Sequence, residues 1–180
     1  FSSSMRGIVG TGGGAIHAIW GTILITLAAT IISVPIGLMT SIYLVEYGGK
    51  GRIAKAITFF VDVMTGIPSI VAGLFIFAVF SIFLGPGASI GIMGALALAV
   101  LMIPVVVRSS EELLRIVPNE LREASYALGV PKWLTIVKVV LRTSLAGIVT
   151  SIVLAIARVI GETAPLLLTV GIVTSRNASM

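Results

Sequence analysis

The chain has 180 residues, of which 57% are hydrophobic and only 11% are charged, whereas an ordinary soluble domain is about 25% charged. A soluble core of this length does not need so much apolar surface, so lipid is the simplest solvent for most of the chain. The absence of cysteine excludes disulfides and thiol chemistry, and the net charge of +5 sits mainly in two short loops, which indicates membrane topology and gives no reason to expect a nucleic-acid partner.

Four long apolar stretches predict four membrane-spanning helices, since about 20 apolar residues cross a hydrocarbon core. They are residues 19–45, 56–84, 90–107 and 139–161. Prolines interrupt three of these stretches, at Pro35, Pro68 and Pro104, and each removes a backbone donor and tends to kink a helix. Residues 164–173 are apolar but too short to span, so we expect a re-entrant or interfacial helix there.

Loop charge predicts the orientation of the chain. Lys50, Arg52 and Lys55 follow the first stretch, and most other basic residues lie in the polar insert at residues 108–138. Because basic loops remain in the cytoplasm, we expect loops 46–55 and 108–138 to lie inside and the N-terminal end of this chain to lie outside. We further expect one transmembrane domain over residues 1–180, as a fragment of a longer membrane protein.

The start of the polar insert predicts a short helix of its own. Ser109 or Ser110 is a suitable N-cap, because a serine hydroxyl accepts a hydrogen bond from an N–H of the first turn. Glu111 and Glu112 then fall in that first turn, where the helix dipole favours acidic side chains. We expect this helix to end at Pro118.

A second and a third short helix follow in the insert. Asn119 is the predicted N-cap of the second, Gly129 is expected just after its C-terminus, and Pro131 is expected in the first turn of the third. The second helix has a compact face of small and apolar residues, namely Leu121, Ala124, Ala127 and Leu128. Such a face fits docking into a groove on another protein, and it fits equally a helix resting on the membrane surface.

The segment ELREASYALGVPKWLTIVKVVL resembles the EAA loop of ABC-importer permeases, whose pattern is Glu-Ala-Ala, a spacer, Gly, a longer spacer and Ile-x-Leu-Pro. Glu123, Ala124, Ser125 and Gly129 match the first part of that pattern, with Ser125 in place of the second alanine. Arg142 stands where the family has proline. The resemblance implies that Glu123, Ala124, Ser125 and Gly129 contact the ATP-hydrolysing subunit and couple its closure to the membrane helices.

A second resemblance concerns the cargo. The segments MTGIPSIVAGLF at residues 64–75 and ARVIGETAPLLL at residues 157–168 are similar to the A-type permease subunits of bacterial phosphate-specific ABC importers. The likeness implies an all-α integral membrane bundle of the type I importer permease (MetI-like) kind in the cytoplasmic membrane, with one further span on each side of this region.

The same resemblance implies a set of partners. These are a second related permease, two copies of an ABC ATPase subunit and an extracytoplasmic phosphate-binding protein. The chain itself is expected to bind no cofactor, and ATP with magnesium is expected on the ATPase. We find no phosphate-binding glycine loop, metal-ligand cluster or Ser/His/Asp set in the sequence, so we expect a transport subunit without a catalytic or metal site.

Two ionisable side chains near the outer end of the fourth stretch suggest a substrate pathway. Arg158 and Glu162 are four residues apart and would share a face of one helix, about 24 Å beyond Arg142 at 1.5 Å per residue. A mutual ion pair or an arginine extended to the interface explains them structurally, whereas a guanidinium fork that attracts phosphate explains them functionally. The resemblance favours Arg158 and Glu162 as pathway residues, and Arg108 at the inner mouth either joins them or anchors the interface.

Two rival functions remain open from the residues alone. Another oxyanion, such as sulfate or molybdate, would suit the same cationic groups. A channel or secondary transporter would need ionisable relay residues deep in the membrane, and only Asp62, near the cytoplasmic end of the second stretch, approaches that pattern. We expect Asp62 to have a structural or gating role.

Overall fold

The computed structural model describes residues 16–49, 51–84 and 91–162. The regular elements in these ranges are all helices, which confirms the predicted all-α class. They are α1 (Ile16–Ile42), α2 (Arg52–Gly66), α3 (Ser69–Leu84), α4 (Gly91–Ile116), α5 (Asn119–Ala127), α6 (Lys132–Thr135) and α7 (Leu141–Ile160). Two π-helical segments occur as well, Tyr43–Tyr47 directly after α1 and Ile136–Val140 between α6 and α7.

Three helices of the described chain are long and apolar enough to cross a membrane, and the chain is a multi-pass membrane protein. They are Ile19–Tyr47, Gly91–Ile116 and Lys132–Ile160. α2 and α3 are long and apolar enough to cross a membrane only when the two helices are taken together. The four predicted spans therefore correspond to three continuous helices and one broken pair.

The second apolar stretch was expected to form one kinked helix, and this expectation is wrong. α2 ends at Gly66 and α3 begins at Ser69. Pro68 lacks a backbone N–H and disfavours helical geometry at Ile67, and glycine is a poor helix former, so breakers at 66 and 68 end the helix together. Pro35 and Pro104 lie inside α1 and α4, and neither has a glycine two residues before it.

The third span does not end at Arg108, so the predicted start of the polar insert is wrong. α4 continues without a break to Ile116. Ser109 caps nothing, because its hydroxyl donates to the carbonyl of Val105, four residues earlier, at 2.7 Å. No proline or glycine separates Arg108 from Ile116, so nothing in the backbone stops the helix there. Only residues 117–131 of the predicted insert therefore lie outside the long helices.

The described residues divide into two units of dense contact. The first consists of described residues within 1–32, 67–102 and 158–180, and the second consists of Ser33–Gly66 and Ile103–Ala157. In the first unit, Ile76 of α3 packs with Met93 and Ala97 of α4. The second unit holds α2, α5, α6 and adjoining parts of α1, α4 and α7. A single domain over the whole chain stays a prediction.

Two apolar clusters hold the second unit together. The first cluster is Leu44, Ala54, Val61 and Val107. The second is Leu114, Val117, Val140 and Ile148, against which Leu38, Ile42 and Val45 also pack. The end of α1, the end of α4 and the start of α7 therefore share one core, and the short helices α5 and α6 connect elements that are already packed together.

Gly37 permits the close approach of α1 to α4 within this unit. A Cβ atom at this position would lie 2.6 Å from Cγ1 of Val106. We expect Gly37→Ala to destabilise the full-length permease by about 1–3 kcal/mol, because overpacking forces neighbouring side chains to move. Thermal unfolding of the purified protein in detergent measures this. Gly21→Ala is the matched control in the same helix, since its Cβ would meet nothing within 4 Å; equal unfolding temperatures would refute the close contact.

Candidate functional site

The C-terminus of α5 is closed by a Schellman motif centred on Gly129. Gly129 has a φ of +76°, and its N–H donates to the carbonyl of Tyr126 at 2.9 Å, while the N–H of Val130 donates to Ser125 at 3.2 Å. A non-glycine residue in this left-handed conformation costs about 1–2 kcal/mol, and glycine avoids that cost. The predicted helix end at Gly129 is confirmed.

Prolines, and not polar side chains, start both short helices. Pro118 is the N-cap of α5 and no side chain caps this end, so the prediction that Asn119 caps it is wrong. Asn119 is the first residue of the helix, and its side-chain oxygen accepts a hydrogen bond from Arg122 at 3.2 Å. Pro131 is likewise the N-cap of α6 and not a residue of its first turn. The extended backbone of a proline at this position ends one segment and sets the entry angle of the next.

Arg122 on α5 forms a buried ion pair with Glu46, in the π-helical segment after α1. The distance from Nη2 to Oε1 is 2.9 Å, and the two side chains are only 12% and 5% exposed. Arg122 also donates to the backbone carbonyls of Leu114 and Val117 at 2.9 and 2.6 Å. One guanidinium therefore fastens α5 to the ends of two membrane helices. We call Glu46, Arg122 and these two carbonyls the Arg122 latch.

Lys132, the first residue of α6, reinforces the same region. Its ammonium donates to the backbone carbonyl of Glu46 and lies 4.6 Å from the centroid of the Tyr47 ring. A cation over an aromatic face is attracted by the ring quadrupole. From the sequence, Arg122 and Lys132 were predicted only as loop charges, and Glu46 was not predicted as their partner. The signal that was available is a single acid at the end of a long uncharged helix.

Ser125 joins α5 to α6. Its hydroxyl lies 2.8 Å from the hydroxyl of Thr135, and both side chains are buried. A buried hydroxyl needs such a partner, because an unsatisfied one costs about 1–3 kcal/mol. The serine that departs from the Glu-Ala-Ala pattern therefore has a structural reason in this chain, and its side chain is directed inward.

The other predicted coupling residues lie on the opposite, solvent-facing side of α5. Glu123, Ala124 and Gly129 are exposed. Leu121 is 43% exposed and Leu128 83% exposed, although both are apolar. The structure thus brings the predicted compact face together on one helix and leaves it uncovered within the described part of the chain.

Arg108 is held by two carboxylates. Its Nη1 lies 3.0 Å from Glu111 on the same helix, and its Nη2 bonds to Asp62 of α2. Glu111 is buried and also pairs with Arg115, at 2.8 Å. The pair that Asp62 forms with Arg108 links α2 to α4, in agreement with the structural role expected for Asp62.

Arg158 and Glu162 do not share a helical face, so that prediction is wrong. α7 ends at Ile160, because Gly161 follows, and Glu162 lies beyond the helix with its N–H donating to Val159 at 3.1 Å. Arg158 is exposed in the last turn. Among the described residues, no ion pair joins the two side chains. The predicted apolar helix at residues 164–173 lies outside the described residues.

The family model and the related sequences that match this chain all describe transport permeases. A model described as binding-protein-dependent transport system inner membrane component matches residues 33–176. Phosphate transport system permease protein PstA 1 of Mycobacterium tuberculosis is 54% identical over 173 residues, which are 95% of this chain and 56% of that protein. The PstA of Mycobacterium leprae is 51% identical over 98% of this chain and 58% of its own length. The chain therefore spans little more than half the length of these relatives.

Solved structures give the same fold. A chain of the MetNI methionine ABC transporter in an inward-facing conformation matches with a TM-score of 0.72, at 24% identity, over 84% of this chain and 72% of that one. A second crystal form of the same transporter gives a TM-score of 0.69 at 22% identity. At such identity the likeness shows the fold and nothing further, and it is the fold expected from the EAA-like segment.

Proposed function

We infer the function from one premise, that the chain belongs to the family of binding-protein-dependent transport system inner membrane components. We propose that it is a permease subunit of an ATP-driven importer that moves inorganic phosphate across the bacterial cytoplasmic membrane. The observation that carries the proposal is the 54% identity over 95% of the chain to a protein named as a phosphate transport permease. No observation favours sulfate, molybdate or a transporter without an ATPase.

The proposed coupling element is α5 with its exposed face. Glu123, Ala124 and the backbone around Gly129 would contact a cleft of the ATPase, while Ser125 holds the helix to α6 from the inner side. The Arg122 latch supports this proposal, because it ties α5 to the ends of α1 and α4 with short, buried hydrogen bonds. A force applied to α5 would then reach the membrane helices without being lost in a flexible loop.

The proposed assembly has two ATPase subunits, a second related permease and an extracytoplasmic phosphate-binding protein. The chain would bind no cofactor itself, and the ATPase would bind ATP with magnesium. In this assembly α5 faces the cytoplasm, so the loops at residues 46–55 and 108–138 lie inside and the start of the chain lies outside. The basic residues in these two loops support this orientation, because basic loops remain in the cytoplasm.

Arg158, Glu162 and Arg108 are proposed for the substrate pathway. Arg158 is an exposed guanidinium in the last turn of α7, and its planar fork matches phosphate oxygens. Glu162 follows two residues after the helix ends. Arg108 would reach an anion only by exchanging its bonds to Asp62 or Glu111, so it fits a gate better than a permanent binding site.

Uptake of radiolabelled phosphate by cells or vesicles that contain the assembled full-length transporter tests the function. We expect ATP-dependent uptake that unlabelled phosphate suppresses and that sulfate and molybdate do not. Equal competition by sulfate or molybdate would change the cargo. Uptake that persists when the ATPase is inactivated would overturn the transporter class.

Gly129 tests the coupling element separately. We expect Gly129→Val to lower transport-coupled ATP hydrolysis by about tenfold, because the left-handed conformation costs a β-branched residue more than about 1–2 kcal/mol and the end of α5 would rearrange. A Cβ at this position meets nothing within 4 Å, so the effect is one of backbone conformation. Gly129→Asn is the control, since asparagine tolerates this conformation. Full coupling in the valine variant would contradict the proposal.

A further inference from the structure

We propose that the outer face of α6 and α7, from Trp133 to Val153, binds one anionic phospholipid, with Lys138 and Arg142 on the headgroup phosphate. This face is distinct from the exposed side of α5 and from the Arg158 end of α7. The site does not depend on which solute is transported. It depends only on the placement of the helix Lys132–Ile160 in a membrane.

An open groove of about 380 Å³ marks the position of the proposed headgroup. It is lined by Val137, Lys138, Leu141, Arg142 and Leu145. Two cations four residues apart therefore border one concave surface whose remaining walls are apolar. A phospholipid has the matching character, because its compact phosphate charge is joined through glycerol to apolar acyl chains. The π-helical segment Ile136–Val140 contributes Val137 and Lys138 to the groove, and such segments are frequent at functional sites.

The two cations differ from the other basic residues between positions 103 and 157. Arg108, Arg115 and Arg122 each pair with a carboxylate, and Lys132 binds a carbonyl and an aromatic ring. Lys138 and Arg142 are exposed and have no carboxylate partner in the described part of the chain. Two unpaired cations beside apolar surface attract an anion that itself lies at the edge of the hydrocarbon core.

An apolar stripe continues from the groove along the helix. Its members recur every four or eight residues and are 51–62% exposed, namely Trp133, Val137, Leu145, Val149 and Val153. Trp133 lies at the α6 end of the stripe. This end would face the lipid headgroups, the level of a membrane at which tryptophan is enriched. From Arg142 to Val153 the helix rises about 17 Å at 1.5 Å per residue. This length is close to the thickness of one leaflet of the hydrocarbon core, which is about 15 Å. The part of the stripe beyond Arg142 is therefore about as long as the acyl chains of one leaflet.

A second permease subunit is the competing occupant of this face. Cations at the core of a protein interface would require acidic partners, because an unpaired buried charge is costly. A phospholipid supplies the anion and the apolar chain together, in the order in which the groove and the stripe present them. We therefore assign the face to lipid.

Native mass spectrometry of the assembled full-length transporter tests the site. The complex is reconstituted with phosphatidylglycerol or with phosphatidylcholine, and retained lipids are counted on release. We expect Lys138→Gln with Arg142→Gln to weaken phosphatidylglycerol binding by about thirtyfold, because each charge removed near a membrane surface weakens anionic-lipid binding by about fivefold. Phosphatidylcholine should bind weakly to both forms, and excess inorganic phosphate should not displace the bound lipid.

The matched control removes two exposed cations outside the groove, as Arg52→Gln with Lys55→Gln, and should retain the bound lipid. An equal loss in this control would show a general effect of surface charge and would overturn the proposal. Unchanged binding in the Lys138/Arg142 variant would overturn it as well. Displacement by inorganic phosphate would make the groove a site for free phosphate, and loss of the second permease from the purified complex would make it a protein interface.

Discussion

Glu46→Gln is expected to destabilise the permease by about 3–5 kcal/mol, the usual effect of removing one partner of a buried ion pair. The Glu46 side chain is 5% exposed, so water cannot replace the lost carboxylate. Arg122 would remain buried and charged without a carboxylate, and its acceptors would all be neutral: the carbonyls of Leu114 and Val117, the side chain of Asn119 and the amide oxygen at position 46. Thermal unfolding of the full-length permease in detergent measures the effect.

The control for this prediction is Glu120→Gln, an exposed acid in the first turn of α5. Surface substitutions of this kind change stability by less than about 0.5 kcal/mol. The double variant Glu46→Gln with Arg122→Gln should lose less stability than the two single variants added together, because the second change removes the unpaired charge. If Glu46→Gln is no less stable than Glu120→Gln, the latch does not hold α5.

The proposed coupling role of α5 gives the latch an expected effect on transport as well as on stability. α5 is short, and helices of this length are marginal in isolation, so its position depends on its attachments. The Arg122 latch attaches it to α1 and α4, and the Ser125–Thr135 pair attaches it to α6 and thus to α7. Partial loss of the latch should therefore reduce coupling in proteins that still assemble.

The sequence predicted those features that depend on neighbouring residues. Gly129 ends α5 because one glycine supplies the left-handed residue that a Schellman motif needs, and no distant contact is required. The apolar stretches predicted the continuous spans for the same reason, since length and composition decide them. Pro68 was predicted to kink the second stretch and not to break it, because Gly66, two residues earlier, was not counted as a second breaker.

Other features depend on contacts between distant residues and could not be predicted in this way. Glu46 and Arg122 are 76 positions apart, and neither has a local pattern that names the other. The predicted cap at Ser109 failed because capping motifs also occur inside helices, where the hydroxyl bonds to the preceding turn. Ser125 was expected to contact the ATP-hydrolysing subunit, and its bond to Thr135 becomes visible only when α5 and α6 are folded together.

Arg158→Gln is expected to lower phosphate uptake by at least about thirtyfold, because the proposed pair of Arg158 with a bound phosphate would be shielded from water, and truncating one partner of such a pair costs about 2–5 kcal/mol. The side chain is exposed in the last turn of α7, so its loss should leave the packed core unchanged. Assembly with the ATPase should also persist, since α5 and its attachments lie in the other contact unit. Radiolabelled phosphate uptake and co-purification of the ATPase measure the two effects separately.

Two further variants decide whether Arg158 recognises the anion by its shape or only by its charge. Arg158→Lys keeps the positive charge but loses the planar fork that contacts two oxygens at once, so intermediate uptake is expected if phosphate is bound in a bidentate manner. Arg52→Gln, an exposed arginine in the other contact unit, should leave uptake unchanged. Uptake in Arg158→Gln within twofold of the unaltered protein would make Arg158 a structural residue and would remove it from the proposed pathway.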